Sequence, residues 1–198
     1  MIGGHEIVTD PARFPALAEM LASAFANDPA LSHILPDPAK RARKLPGLFG
    51  LFLRTDAPDG FVMMSADGSA AALWRAPGKA HVPMLTMARH GPALLGAFGL
   101  ALTGALSMDA AIAAHHPRTH FWYLHVLGCA PGRQNEGLGS ALVRAGLAYV
   151  TESGLPALLE TASEDNVRFY ERLGFVVAEQ WQIPRGPKFW SMLRPGGL

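Results

Sequence analysis

The residues best placed to do chemistry are Cys129-Ala130-Pro131-Gly132-Arg133-Gln134-Asn135-Glu136-Gly137-Leu138-Gly139-Ser140. They follow an apolar, aromatic run, Phe121 to Leu127, and open a segment of helical periodicity. A strand thus runs into a glycine-containing loop that becomes the first turn of a helix. Several backbone N–H groups are then left without partners at the positive end of a helix dipole. Such a spot binds phosphate, and glycines let a bulky anion approach the backbone. Gly132 and Gly137 have the spacing of a P-loop, but Leu138 stands where its Lys is required. Gly137-Leu138-Gly139 begins a dinucleotide fingerprint, but Leu142 stands where the third glycine belongs. A plain loop capping a surface helix is the remaining alternative.

The pattern Gln134-x-x-Gly137-x-Gly139 after a strand resembles the Q/R-x-x-G-x-G/A loop of the GNAT family of acetyl-CoA-dependent N-acetyltransferases. Downstream, Asp165-Asn166-Val167-Arg168-Phe169-Tyr170-Glu171-Arg172-Leu173-Gly174-Phe175 is similar to that family's second signature, an Asn shortly before F-Y-x-x-x-G-F. Within the family, Phe121 to Leu124, Leu159-Glu160-Thr161, Phe169 to Phe175 and Pro184-Arg185-Gly186-Pro187 resemble puromycin N-acetyltransferase-like proteins. The resemblance covers residues 119–194, and the part before it matches only in general layout. It implies an α/β (α+β) fold with a mixed central β-sheet flanked by helices, and acetyl-CoA in the splay between central strands. It implies a single domain over 1–198, with the cofactor motifs in 119–194 and the acceptor-binding half in 1–115. The activity implied is direct transfer of an acetyl group from acetyl-CoA to the primary amine of a small molecule. A protein or peptide amine as acceptor, and a catalytically weak acyl-CoA-binding module, are the alternatives. Asn135 and Glu136 depart from the family loop, where Gly and a basic residue are common, and Glu136 would put a carboxylate near the pyrophosphate.

On that resemblance the pyrophosphate takes amides from the loop Gln134, Asn135, Glu136, Gly137, Leu138, Gly139 and Ser140. Leu127, Gly128 and Cys129 offer backbone groups to the pantetheine arm, with a bulge expected at Gly128. Direct transfer requires a polarised thioester carbonyl, a neutral amine and a proton for the departing thiolate. A tyrosine hydroxyl, of reference pKa near ~10, can protonate a thiolate whose thiol pKa is around ~8.5. The resemblance gives Tyr170 that role, and its spacing from Val167 and Leu173 also suits helix packing. Asn166 is expected as a helix N-cap, or Asp165 in its place, and the resemblance turns Asn166 toward the CoA arm.

For the amine's proton the sequence offers Glu160 and His125. Glu160 ends a buried-looking strand, where burial would raise its pKa; a structural carboxylate is the alternative. His125, of reference pKa near ~6.5, sits inside the apolar strand Tyr123–Leu127, and a satisfied core histidine is the alternative. Tyr123 alternates onto the face of His125 and either could line an acceptor pocket, with Trp74 and Trp181 as further candidates or as core. Cys129 lacks the base and orienting partner that a nucleophile needs. His115-His116 has no carboxylate or Cys at ligand spacing, so no metal is expected.

The elements that must hold these residues read as follows. A strand at His5–Val8 precedes a helix from Asp10-Pro11 to about Phe25, irregular at Pro15. A helical turn at Ala30–Ile34 and a helix from Asp37-Pro38 follow; Lys40–Lys44 is its solvated face, and Pro46 kinks or divides it. Phe61–Ser65 and Ala70–Trp74 flank Asp67-Gly68 as a hairpin. Residues 81–115 are helical, and from 119 onward the pattern alternates strand and helix, implying a helix-covered sheet. The segment 92–106 is apolar but short of the ~20 residues of a spanning helix. It must hide against the core, a second subunit of a homodimer, or an apolar acceptor. The chain of 198 residues carries a net charge of +1, which gives no electrostatic reason to bind nucleic acid. Its single Cys fits a reducing cytoplasm, and the start Met1-Ile2-Gly3 does not read as a signal peptide.

Overall fold

The computed structural model describes residues 4–81 and 91–197. Met1-Ile2-Gly3 and 82–90, part of the expected helical stretch 81–115, lie outside the described residues. A short strand β1 (His5–Ile7) leads through a 3-10 turn (Pro11–Arg13) into α1 (Phe14–Ala24). The irregular start expected from Pro15 is this 3-10 turn, capped by Asp10, whose carboxylate accepts the N–H of Ala12. α2 (Pro29–Ile34) and α3 (Pro38–Asp59) start in the same manner, with Asp28 and Asp37 accepting the N–H groups of Leu31 and Lys40. Pro46 does not divide α3, which runs on to Asp59. Arg41 is the exception on the basic face: it is buried and donates to the carbonyls of Ala26 and Leu35, tying α2 to α3.

β2 (Gly60–Ser65) and β3 (Ala70–Arg75) form the expected hairpin. α4 (Gly91–Phe98) and α5 (Leu102–Ala114) carry the apolar segment, parted by a 3-10 turn at Gly99–Ala101. Among the described residues no helix is long and apolar enough to cross a membrane. β4 (Trp122–Cys129), α6 (Leu138–Thr151), β5 (Ala157–Thr161), α7 (Glu164–Glu171), β6 (Val176–Gln182) and β7 (Lys188–Arg194) complete the chain. Among the described residues the sheet has 7 strands in the order β1-β2-β3-β4-β5-β7-β6. Only the β4–β5 pair is parallel. α1 and α3 cover one face, with Leu21, Leu45 and Phe49 on Val62, Leu73 and Val126. α6 covers the other, with Leu142, Val143 and Leu147 on Ala72, Trp74 and Leu124. Each buried Leu, Val or Phe among these stabilises the fold by about 1.5–3 kcal/mol.

Two irregularities of β4 create the site. β3 pairs Leu73 with Val126 but Trp74 with Leu124, so His125 is an extra residue, a β-bulge. Trp122 and Leu124 before it, and Leu127 and Cys129 after it, all pack on the α6 side. Tyr123 and His125 lie on the opposite side, His125 against Phe52 of α3. The bulge is therefore at His125 and not at Gly128, which pairs regularly with Ala71. Gly128 serves α1 instead: a Cβ there would lie 2.7 Å from Leu21 Cδ2 and 3.1 Å from Phe25 Cε2. The second irregularity is a splay. β4 and β5 pair only through Trp122↔Ala157 and Tyr123↔Leu158, and then separate, leaving one edge of β4 unpaired from Leu124 to Cys129.

Candidate active site

The gap between β4 and β5 borders a cavity of about 290 Å³. Its apolar wall comes from Phe25, Leu31 and Ile34, from Leu48 and Phe52 of α3, and from Leu94, Phe98, Leu102 and Met108 of α4 and α5. The apolar segment thus hides against the core and this cavity, though Leu95 and Leu106 stay exposed. Leu127, Thr161, Asn166 and Tyr170 line the cavity from β4, β5 and α7.

His125 is held from behind by a buried carboxylate. Its Nδ1 lies 2.6 Å from Asp56 Oδ2, and Asp56 is 0 % exposed. Asp56 Oδ1 accepts from Arg75 Nε at 2.8 Å, and Arg75 donates onward to the Ala80 carbonyl at 3.0 Å. Burial pushes the Asp56 carboxyl up. The positive charge and hydrogen bonds supplied by His125 and Arg75 outweigh burial and hold it below the ordinary value of 3.8. With Asp56 ionised, Nδ1 carries a proton and Nε2 is the nitrogen at which a further proton comes and goes.

A second polar cluster lies on the same wall. Glu160 Oε1 is 3.2 Å from His116 Nε2, and both side chains are 3 % exposed. The approach has the distance of an ion pair without the angle of a hydrogen bond, so both Glu160 oxygens and both His116 nitrogens are left unpartnered. The Tyr123 phenol lies against this carboxylate; burial first, then the Glu160 charge, push it well above its ordinary range.

The loop before α6 has the form its sequence predicts. Asn135 at φ 64 and Gly137 at φ 81 are both left-handed, which turns successive N–H groups toward one side. Among the described residues, no backbone N–H from Gln134 to Leu138 donates to a backbone carbonyl. The N–H of Gly139 reaches the sulfur of Cys129. Glu136 does not stand alone: Arg133 donates from Nε to its carboxylate at 2.8 Å and from Nη1 to Asp67 at 2.7 Å.

The sequence profile of the Acetyltransferase (GNAT) family matches residues 58–175, which span the hairpin, β4, the loop and α7. The chain belongs to the GNAT acetyltransferase family. Mycothiol acetyltransferases of Streptomyces scabiei and Streptomyces avermitilis are each 40% identical over 67 residues, covering 32% of this chain. The match spans only 22% of those curated relatives' own length. An acetyltransferase of Corynebacterium glutamicum, described as related to histone acetyltransferase HPA2, is similar in structure with a TM-score of 0.77 at 27% identity. That likeness covers 100% of this chain and 98% of the other. The arylalkylamine N-acetyltransferase 2 of Aedes aegypti shares the fold, with a TM-score of 0.65 at 12% identity over 98% and 99% of the two chains.

Within this GNAT fold the structure brings together Tyr123, His125, Leu127, Glu160, Asn166 and Tyr170 on one cavity. Trp74, expected on an acceptor pocket, is elsewhere: it is fully buried under α6, stacked on Phe61. A Cβ at Gly146 of α6 would lie 2.4 Å from its Nε1. Trp181 stacks between His115 and Phe189. Asn166 is not the N-cap, which is Ser163; its amide instead donates to Thr161 Oγ1 at 3.3 Å. Tyr170 both packs on Phe175 and lines the cavity, and burial raises its hydroxyl above the ordinary range. Burial also raises the Cys129 thiol, which opposes a nucleophilic role. Asp56 and Arg75 carry no signal in the sequence, and His116 stands out there only as a candidate metal ligand. A lone Asp near a helix end carries no motif, and only the bulge at His125 turns its ring toward α3 and Asp56.

Proposed function

We propose that this GNAT-family chain transfers an acetyl group from acetyl-CoA to the primary amine of a small molecule. The observation that carries this reading is His125 on a β4 bulge, its Nδ1 fixed by buried Asp56, on a cavity that opens into the β4–β5 gap. The unpartnered amides before α6 suit a pyrophosphate, and the unpaired edge of β4 suits an extended amide-bearing arm. Acetyl-CoA would supply an acyl carbon held by a good leaving group. The chain's residues manage the protons. His125 Nε2 takes a proton from the entering ammonium, which frees the nitrogen lone pair for attack. Asp56 stabilises the imidazolium so formed. As the carbon–sulfur bond breaks, Tyr170 gives its hydroxyl proton to the sulfur and regains one from the acylated nitrogen. A cavity walled by α2, α4 and α5 favours a small acceptor with an apolar body over an extended peptide.

A thiol-release assay with acetyl-CoA and a panel of apolar primary amines tests this, together with calorimetry on Gly137→Glu. A side chain at φ 81 is strained, and its carboxylate would face the phosphates. Binding of acetyl-CoA to the parent and its loss in a folded Gly137→Glu protein is the expected result. Normal binding by that variant would overturn the loop assignment, and absence of thiol release with every amine would overturn the transfer.

A further inference from the structure

We infer that the cavity grips its acceptor at a second point, away from the nitrogen that is acetylated: the Glu160 carboxylate seats a second cationic group of the same molecule, so the preferred acceptors are diamines. The inference rests on the proposed acetyl transfer and specifies its substrate class. The Glu160 side chain is 3 % exposed, and among the described residues neither of its oxygens completes a hydrogen bond of good geometry. A buried carboxylate is ordinarily paired, because burying an unpaired charge costs several kcal/mol. Among the described residues its neighbours are the His116 ring and the Tyr123 phenol, and no Lys or Arg is paired with it. His116 approaches at 3.2 Å but at a poor angle. Arg75 is the one Lys or Arg among the described residues lining the cavity, and it is committed to Asp56 and the Ala80 carbonyl. Asp109 and the α2 cap Asp28 also line the cavity, alongside His81, His116 and His125. A cation entering from outside is the electrostatic complement of the Glu160 carboxylate.

The spacing of the two stations comes from Tyr123. Its ring centroid is 5.6 Å from that of His125 on one side and 5.1 Å from that of His116 on the other. The reacting nitrogen at His125 and the anchored one at Glu160 are therefore separated by roughly the width of this aromatic ledge. Apolar residues of α4 and α5 face it and would cover a short methylene spacer.

Thiol release is measured with cadaverine, aminopentanol and pentylamine, which share a spacer length and differ in the far end. The parent is expected to favour cadaverine over pentylamine by about tenfold in kcat/KM, through KM. Glu160→Gln, close to isosteric, should erase that preference, the loss falling on KM for cadaverine. Equal kcat/KM for the three amines in the parent, or a preference for aminopentanol, overturns the inference. So does a loss of kcat on pentylamine in Glu160→Gln, which would make Glu160 part of the chemistry. Calorimetry of cadaverine with the parent and Glu160→Gln reads the anchor without turnover. Cadaverine binding that depends on Glu160, without thiol release from any amine, would sustain the anchor while overturning the acetyl transfer.

Discussion

Asp56→Asn preserves the volume at a position that is 0 % exposed and removes the charge shared by Arg75 and His125. If the amide oxygen stays on Arg75, the NH2 faces His125 Nδ1. That nitrogen must then offer a lone pair, and the proton moves to Nε2, where the ring can no longer accept one from the amine. If the amide turns round, Arg75 faces an N–H instead. Breaking a buried ion pair outright costs about 3–5 kcal/mol. The amide keeps one of the hydrogen bonds, so the expected loss of stability is about 1–3 kcal/mol, the cost of one unsatisfied buried group. Loss of a general base lowers kcat/KM by about 10²–10⁴, or roughly 2.7–5.4 kcal/mol of barrier. Thiol release at saturating acetyl-CoA gives the rate, and denaturant unfolding gives the stability. The stability gap between parent and variant carries its own pH signature. A carboxyl held below its ordinary 3.8 stabilises the fold above that value and loses its contribution as pH falls through its folded pKa, so the gap closes on acidification. A folded Asp56→Asn protein with kcat/KM within threefold of the parent would refute the role given to His125 and Asp56.

Tyr170→Phe should cut kcat and kcat/KM together by about 10²–10⁴ with acetyl-CoA affinity unchanged, since the hydroxyl acts only as sulfur departs. A rate within threefold of the parent would leave Tyr170 as the partner of Phe175 alone. Glu136→Lys frees Arg133 from its 2.8 Å contact and reverses a charge beside the loop amides. It is expected to tighten acetyl-CoA several-fold at low salt, with the gain shrinking as salt is added; titrations that coincide at both ionic strengths would place Glu136 away from the phosphates.

The cofactor half of the molecule was legible because its features are local. A glycine loop between a strand and a helix is written in consecutive residues, and so are the Asp-Pro helix starts at Asp10 and Asp37. The cavity's proton machinery was legible only in part. His125 and Glu160 stood out as polar residues in apolar strands, but their partners lie far away in sequence: Asp56 is 69 residues from His125. Arg41 misled for a related reason, since a basic run on a helix does not say which member turns inward to cap distant carbonyls. Trp74 misled because strand periodicity gives two faces without saying which one carries the cavity. A glycine at 128 reads in sequence as a bulge, while the constraint that makes it glycine comes from Leu21 of α1 and its C-cap Phe25, packed directly on it.

The extra residue at His125 divides β4 into two stretches written in opposite phase. A substitution anywhere along such a strand changes one side chain and leaves the phase alone. Deleting His125 would bring Leu124 and Val126 into direct succession opposite Trp74 and Leu73 and remove the bulge. Val126 would stay on the α1–α3 side and Leu127 and Cys129 under α6, in a regular strand that has lost the His125 contact to Asp56. In this strand a residue count is therefore part of the specification, as much as the identity of any residue in it. Homologous chains should be aligned across it by keeping the two phases separate, not by maximising identity through the bulge.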